Sequence, residues 1–242
     1  MKNRAVITFL FIFTIFFLVF FLFGCWNTGD FIEETVTVDQ EEAHKVDAMI
    51  IIYKGDLQIS GGNQQSLLIS DFSYNLKKWA PEVTYAVKNG EGILKIIQKE
   101  NEKGLFNSLI NHWILAFNPD IPLGLDISIG NGENLLDLSA INLSNLKMAM
   151  GSGDAIIDLT GDYQENITVY LIGGIGHTTV NLPEDVGVRL LIKGVFNRIK
   201  CDGFNQIGNF YYNSTFNFSE RKIYITLISG LGMIDINLKP SG

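Results

Sequence analysis

The sequence predicts an all-β chain: a stacked-strand β-solenoid preceded by an N-terminal β module and, at its start, an apolar signal or anchor helix. Three observations carry this. A Gly-x-Gly corner recurs along the second half of the chain. On both sides of each corner apolar and polar residues alternate, which is the period of a strand. After about residue 30 no segment has helical periodicity, and Ile, Leu, Phe and Tyr punctuated by Gly, with only 5 Pro, make a strand-and-turn composition.

The first element is MKNRAVITFLFIFTIFFLVFFLFGCW. Lys2 and Arg4 precede an unbroken uncharged run from Ala5 to Phe23, followed by Gly24 and Cys25. Charge, apolar core and small residue come in the order of an export signal. At about 19 residues the run is also long enough to cross a bilayer as a helix. Leu22, Phe23, Gly24 and Cys25 resemble a bacterial lipobox, which implies that Cys25 receives a lipid and becomes the mature N-terminus. Two alternatives stay open, a lipid anchor at Cys25 and an uncleaved transmembrane anchor, and both put the rest of the chain on the extracytoplasmic face of the membrane. The expected division is residues 1–24 as signal or anchor, 25–32 as linker, 33–118 as the N-terminal β module and 119–242 as the repeat solenoid.

The repeat is read from Ile129-GNGENLLDLS, Met150-GSGDAIIDLT, Ile172-GGIGHTTVNLP and Ser229-GLGMIDINL. Gly130, Gly151, Gly174 and Gly230 hold the first corner position, and Gly132, Gly153, Gly176 and Gly232 the second. The early corners lie about 21 residues apart, with a longer step to the last. A degenerate copy, Lys193-GVFNRIKCDG, fills that gap and keeps Gly194. An earlier relative, Tyr53-KGDLQISGG, has Gly55 in the corner. Each unit is strand, glycine corner, strand, polar turn. One unit cannot bury its apolar face, whereas a stack can, so the fixed period favours a solenoid over an antiparallel sandwich.

Three stretches resemble the bacterial toast-rack proteins: Glu42-AHKVDAMIIIYKGDLQISGG, Leu67-LISDFSYNLKKWAPEVTYAV, and the run from Leu135 to Leu238. The C-terminal half of that family is related to the cell-wall-stress regulator LiaF and to adhesin-like domains. The resemblance implies an all-β envelope protein without established catalytic activity. One N-terminal signal stands here in place of LiaF's several membrane helices.

The chemistry-bearing residues are few. A phosphate loop needs Lys-Ser/Thr and a helix after the glycines, but Ala155-IIDLT is a strand pattern. Calcium needs several oxygen ligands at one point. The residues after the second glycine are Glu133, Asp154, His177 and Met233, a mixture that does not supply them. His44, His112 and His177 carry no metal-ligand spacing, and no nucleophile motif occurs. Asp137, Asp158, Asn181 and Asn237 form an Asx file expected to bond along the stack or to turn amides. Cys201 reads as a half-buried packing residue.

The late aromatics Phe204, Phe210, Tyr211, Tyr212, Phe216 and Phe218 either cap the solenoid or present a binding face. Trp113 is placed to seal the other end or the junction between modules. A formal net charge of −8 disfavours nucleic acid. The expectation is a non-enzymatic, membrane-anchored binding, scaffold or envelope-stress module without metal or cofactor. Its expected partner is an envelope protein or a glycan, as in a surface adhesin; a carbohydrate-active enzyme is the remaining alternative.

Overall fold

The computed structural model describes residues 30–62, 65–99, 110–194, 197–228 and 230–241. The signal or anchor segment and the lipobox residues lie outside them. Among the described residues the structure is all-β. The strands are β1 Ile32–Val38, β2 Lys45–Ile52, β3 Asp56–Gly61, β4 Leu68–Tyr74, β5 Pro81–Lys88, β6 Glu91–Gln98 and β7 Asn111–Phe117. They continue with β8 Leu123–Asn131, β9 Asn134–Asp137, β10 Leu143–Ser152, β11 Ala155–Asp158, β12 Ile167–Ile172 and β13 Ile175–Pro183. The chain ends with β14 Gly187–Lys193, β15 Asn197–Cys201, β16 Phe204–Ile207, β17 Phe210–Asn213, β18 Lys222–Ile228 and β19 Leu231–Lys239. A single 3-10 turn, Lys77–Trp79, lies between β4 and β5.

The strands run in two ladders. The strands before the corners stack in parallel in the order β6, β2, β8, β10, β12, β18, β14. The strands after the corners stack in parallel as β7, β3, β9, β11, β13, β19, β15. The ladders join where Ser152 pairs with Ile175. Alternation makes one face of each strand apolar, and these faces meet between the ladders. The buried residues run as one cluster from Val38 to Ile236, on both sides of residue 118. Parallel strands need crossover connections; here the glycine corners and polar turns carry the chain from one ladder to the other.

The order of the rungs departs from the order of the chain at both ends. The unit β6–β7 lies outside β2–β3, although it comes later. The last unit, β18–β19, is slotted between β12–β13 and β14–β15. The degenerate copy therefore does not fill the gap in space; it forms the outermost rung. An irregular corner there disturbs one neighbour, whereas inside the stack it would disturb two.

Antiparallel strands close most of the exposed edges. β5 covers β6, and β4 and then β1 cover β7. At the other end β17 and β16 cover β14. The remaining edge, β15, carries exposed Arg198 and Lys200, charges that discourage further pairing.

Candidate functional site

The glycine corners form two files through the stack. A Cβ on Gly130 would run into the carbonyl oxygen of Tyr53, on Gly151 into that of Gly130, on Gly174 into that of Gly151, and on Gly230 into that of Gly174. In the second file the same holds for Gly132 against Gly55, Gly153 against Gly132, Gly176 against Gly153 and Gly232 against Gly176. Gly153 also has φ +112°, outside the range comfortable for other residues. Gly194, in the outermost rung, has φ +146°. The corner amides are used as well: Gly55 donates to Asn131 at 2.9 Å, and Gly153 to Ile175 at 2.9 Å. Backbone from the next rung fills the space that a bound phosphate would need, and β11 rather than a helix follows Gly153.

The Asx file lies on the outer face of the second ladder, with Asp137, Asp158, Asn181 and Asn237 in register. Asp158 Oδ1 accepts from the Thr160 amide at 3.0 Å and from its hydroxyl at 2.6 Å. Asp137 does the same for Ser139, at 3.2 and 2.6 Å. The two Asn amides continue the file, Asn181 donating to Asp158 and Asn237 to Asn181, each at 3.4 Å. The two aspartates hold the turns that follow their strands, and the two asparagines link neighbouring rungs.

Two rows nearer the corners shape a groove of about 550 Å³ on the same outer face. Its first row, read across the rungs, is His112, Asp56, Glu133, Asp154 and His177. The second row contains Gln58, Leu135, Ile156 and Thr179, with Leu135 44% and Ile156 47% exposed. An acidic row, a partly apolar row and the Asx file thus lie side by side. Asp56 Oδ1 accepts from the Glu133 amide at 2.8 Å, and Asp154 Oδ1 from the His177 amide at 2.7 Å. His177 Nε2 meets Asp235 Oδ2 at 2.9 Å. Asp56, Asp154 and Asp235 are each held by a neighbouring rung.

The sequence brings Glu133, Asp154 and His177 into view as corner residues and His112 only as a histidine without metal-ligand spacing; it does not single out Asp56. The signal for Asp56 was present, since it follows Gly55 as Glu133 follows Gly132. His112 had no such marker, because its rung lacks the Gly-x-Gly. Among the described residues no group of three or more His, Cys, Asp or Glu is placed to hold a metal ion.

The late aromatics divide three ways. Phe204 and Tyr211 pack against the core. Phe210, Tyr212 and Phe216 form an outer cluster with Tyr224, in which Arg189 lies 5.0 Å from the Phe210 ring and 4.6 Å from the Tyr224 ring. Phe218 is 86% exposed. The hairpin that carries most of them caps the first ladder while showing an aromatic and cationic face to solvent. Trp113 lies in β7 near the opposite end, fully buried edge-on to Phe72 with ring centroids 5.2 Å apart. Its indole N–H donates to Asn111 at 2.8 Å. Cys201 is a free, half-buried thiol packed at the core margin, and burial, with Asp202 beside it, pushes its pKa up. A raised pKa keeps a thiol protonated and unreactive.

The family model for the N-terminal domain of toast_rack matches residues 27–181. The chain belongs to the toast-rack family. A solved structure, that of a candidate cell adhesion protein from Clostridium sporogenes, is 34% identical, with a TM-score of 0.83 over 87% of this chain and 100% of that one. A candidate lipid-binding protein from Parabacteroides distasonis aligns at 10% identity and TM-score 0.30, over 86% of this chain and 98% of its own. A candidate adhesin from Bacteroides fragilis aligns at 9% identity and TM-score 0.22, over 86% and 97%. These last two alignments are too weak to carry an argument. No curated protein matches the toast-rack chain.

Proposed function

We propose that this toast-rack protein is a membrane-tethered, extracytoplasmic binding module that attaches its cell to an external surface and catalyses nothing. The observation that carries the proposal is the 34% identity to a candidate cell adhesion protein, covering all of that chain. The groove supports it, because it offers a fixed array of hydrogen-bonding and apolar groups spread over several rungs, as a recognition surface requires. The start of the chain supports the tether: two positive residues, the Ala5–Phe23 run and Cys25 fit a lipid anchor, with an uncleaved helix as the other form of attachment.

The test is made on intact cells that carry the full chain. Antibody raised against the folded part stains unpermeabilised cells, and deleting the gene reduces attachment to the colonised surface, with recovery on complementation. Staining only after permeabilisation, or attachment that is indifferent to deletion, contradicts the proposal.

A further inference from the structure

A second cavity, of about 210 Å³, lies beside the corner between β2 and β3. Trp79, Ile110, Asn131, Lys54, Asp56 and His112 are among the residues lining it. Asp56 and His112 line the larger groove as well, so the two spaces adjoin along the outer face. Trp79 is 1% exposed and its indole N–H has no hydrogen-bond partner. The side-chain N–H₂ of Gln98, 1% exposed, is also without a partner. Its carbonyl oxygen accepts from the amides of Tyr53 and of Lys54, which lines the cavity, at 2.8 and 3.2 Å. Buried donors are nearly always satisfied, and one left open costs free energy that a ligand acceptor recovers.

The chemistry of the walls selects the ligand. An anion accepts from the indole but meets the Asp56 carboxylate, and Glu133 and Asp154 along the groove. A cation suits the carboxylates but offers nothing to the indole N–H. A hydroxyl does both, accepting from Trp79 and donating to Asp56. Ile110, 45% exposed, gives apolar surface for the C–H face of a sugar. Along the groove an acceptor recurs at each rung, and rungs are spaced by about 4.8 Å, close to the advance of one linked sugar.

Resting on the surface-binding reading above, we infer that the ligand is a neutral saccharide chain. Its terminal residue occupies the Trp79 pocket, and the following residues run along the Asp56–Glu133–Asp154 row.

The test uses the purified full chain on an array of neutral gluco-, manno-, galacto- and N-acetylglucosamine oligomers. At least one probe is retained. Trp79→Phe, which keeps a ring and removes the N–H, weakens retention about tenfold, the cost of one lost hydrogen bond. Asp56→Asn keeps the oxygen that accepts from the Glu133 amide and also weakens retention about tenfold. Thermal melts check that each variant is folded, and if Trp79→Phe is not, Asp56→Asn decides. Titrating the retained oligomer shifts the Trp79 indole resonance. Retention of no neutral oligomer, retention unchanged in a folded variant, or an unmoved indole resonance overturns the inference. So does retention of an oligolysine probe in place of the sugars. If cell attachment still depends on the gene while the array stays empty, the saccharide fails and the surface-binding reading stands; if attachment is also indifferent, both fail.

Discussion

Replacing Gly153 by Ala tests whether the corners are architecture. Gly153 has φ +112°, and an added Cβ would lie inside contact distance of the Gly132 carbonyl oxygen. The backbone angle alone costs about 1 kcal/mol for Ala. Crowding a rigid carbonyl in a packed corner adds about 2 kcal/mol. The total, about 3 kcal/mol, lowers Tm by roughly 6–12 °C for a chain of this size. Gly208 is the internal control. Its φ is +61° and an added Cβ meets nothing within 4 Å. Gly208→Ala therefore carries only the angle cost, about 1 kcal/mol, or roughly 2–4 °C. Far-ultraviolet circular dichroism melts of the two variants beside the parent measure the difference. Equal Tm losses would refute the stacking explanation and reopen the corner as an accommodating loop.

Three further outcomes are expected. Asp158→Ala removes the acceptor of the Thr160 amide and hydroxyl and lowers stability by about 1.5 kcal/mol in denaturant melts, while Asp158→Asn, which keeps Oδ1, loses less than half of that. Tyr163 is buried, donates to the Leu138 carbonyl at 3.1 Å, and has its pKa raised chiefly by desolvation, with Asp158 adding to it. Its folded pKa lies above the unfolded value of about 10, so its contribution is intact below that pH and is lost above it at about 1.4 kcal/mol per pH unit; melts between pH 9 and 11 show the slope, and Tyr163→Phe reduces it. Labelled palmitate is incorporated into the full chain and not into Cys25→Ala, whereas label retained in that variant contradicts lipidation at Cys25.

Much of the repeat was legible because its causes are local. Glycines recur where a Cβ would strike the rung below, and alternation around them marks two strands per unit. The Asx file could be read for the same reason, since Asp158 and Thr160 are neighbours in sequence. The order of the rungs could not be read. β18 pairs with β12 across more than fifty residues, and no local pattern says that it displaces β14. The groove depends on that kind of non-local placement. β3 enters between β7 and β9, which brings Asp56 between His112 and Glu133. Trp79 gave no signal either, because an unsatisfied indole is a property of the packed state.

The arrangement of the groove is tested most directly by cysteine pairs across it. Gln58 and Leu135 are register partners on adjacent strands, as are Gln58 and Ile114, while Ile114 and Leu135 are separated by β3. Adjacent parallel strands lie about 4.8 Å apart and next-but-one strands about 9.6 Å, and a disulfide needs Cα atoms within about 7 Å. In a Cys201→Ser background, Gln58→Cys with Leu135→Cys is expected to form a bond under mild oxidation, and Ile114→Cys with Leu135→Cys is not. The reverse result would place the rungs in chain order, separate Asp56 from Glu133, and contradict the groove on which the binding proposal stands.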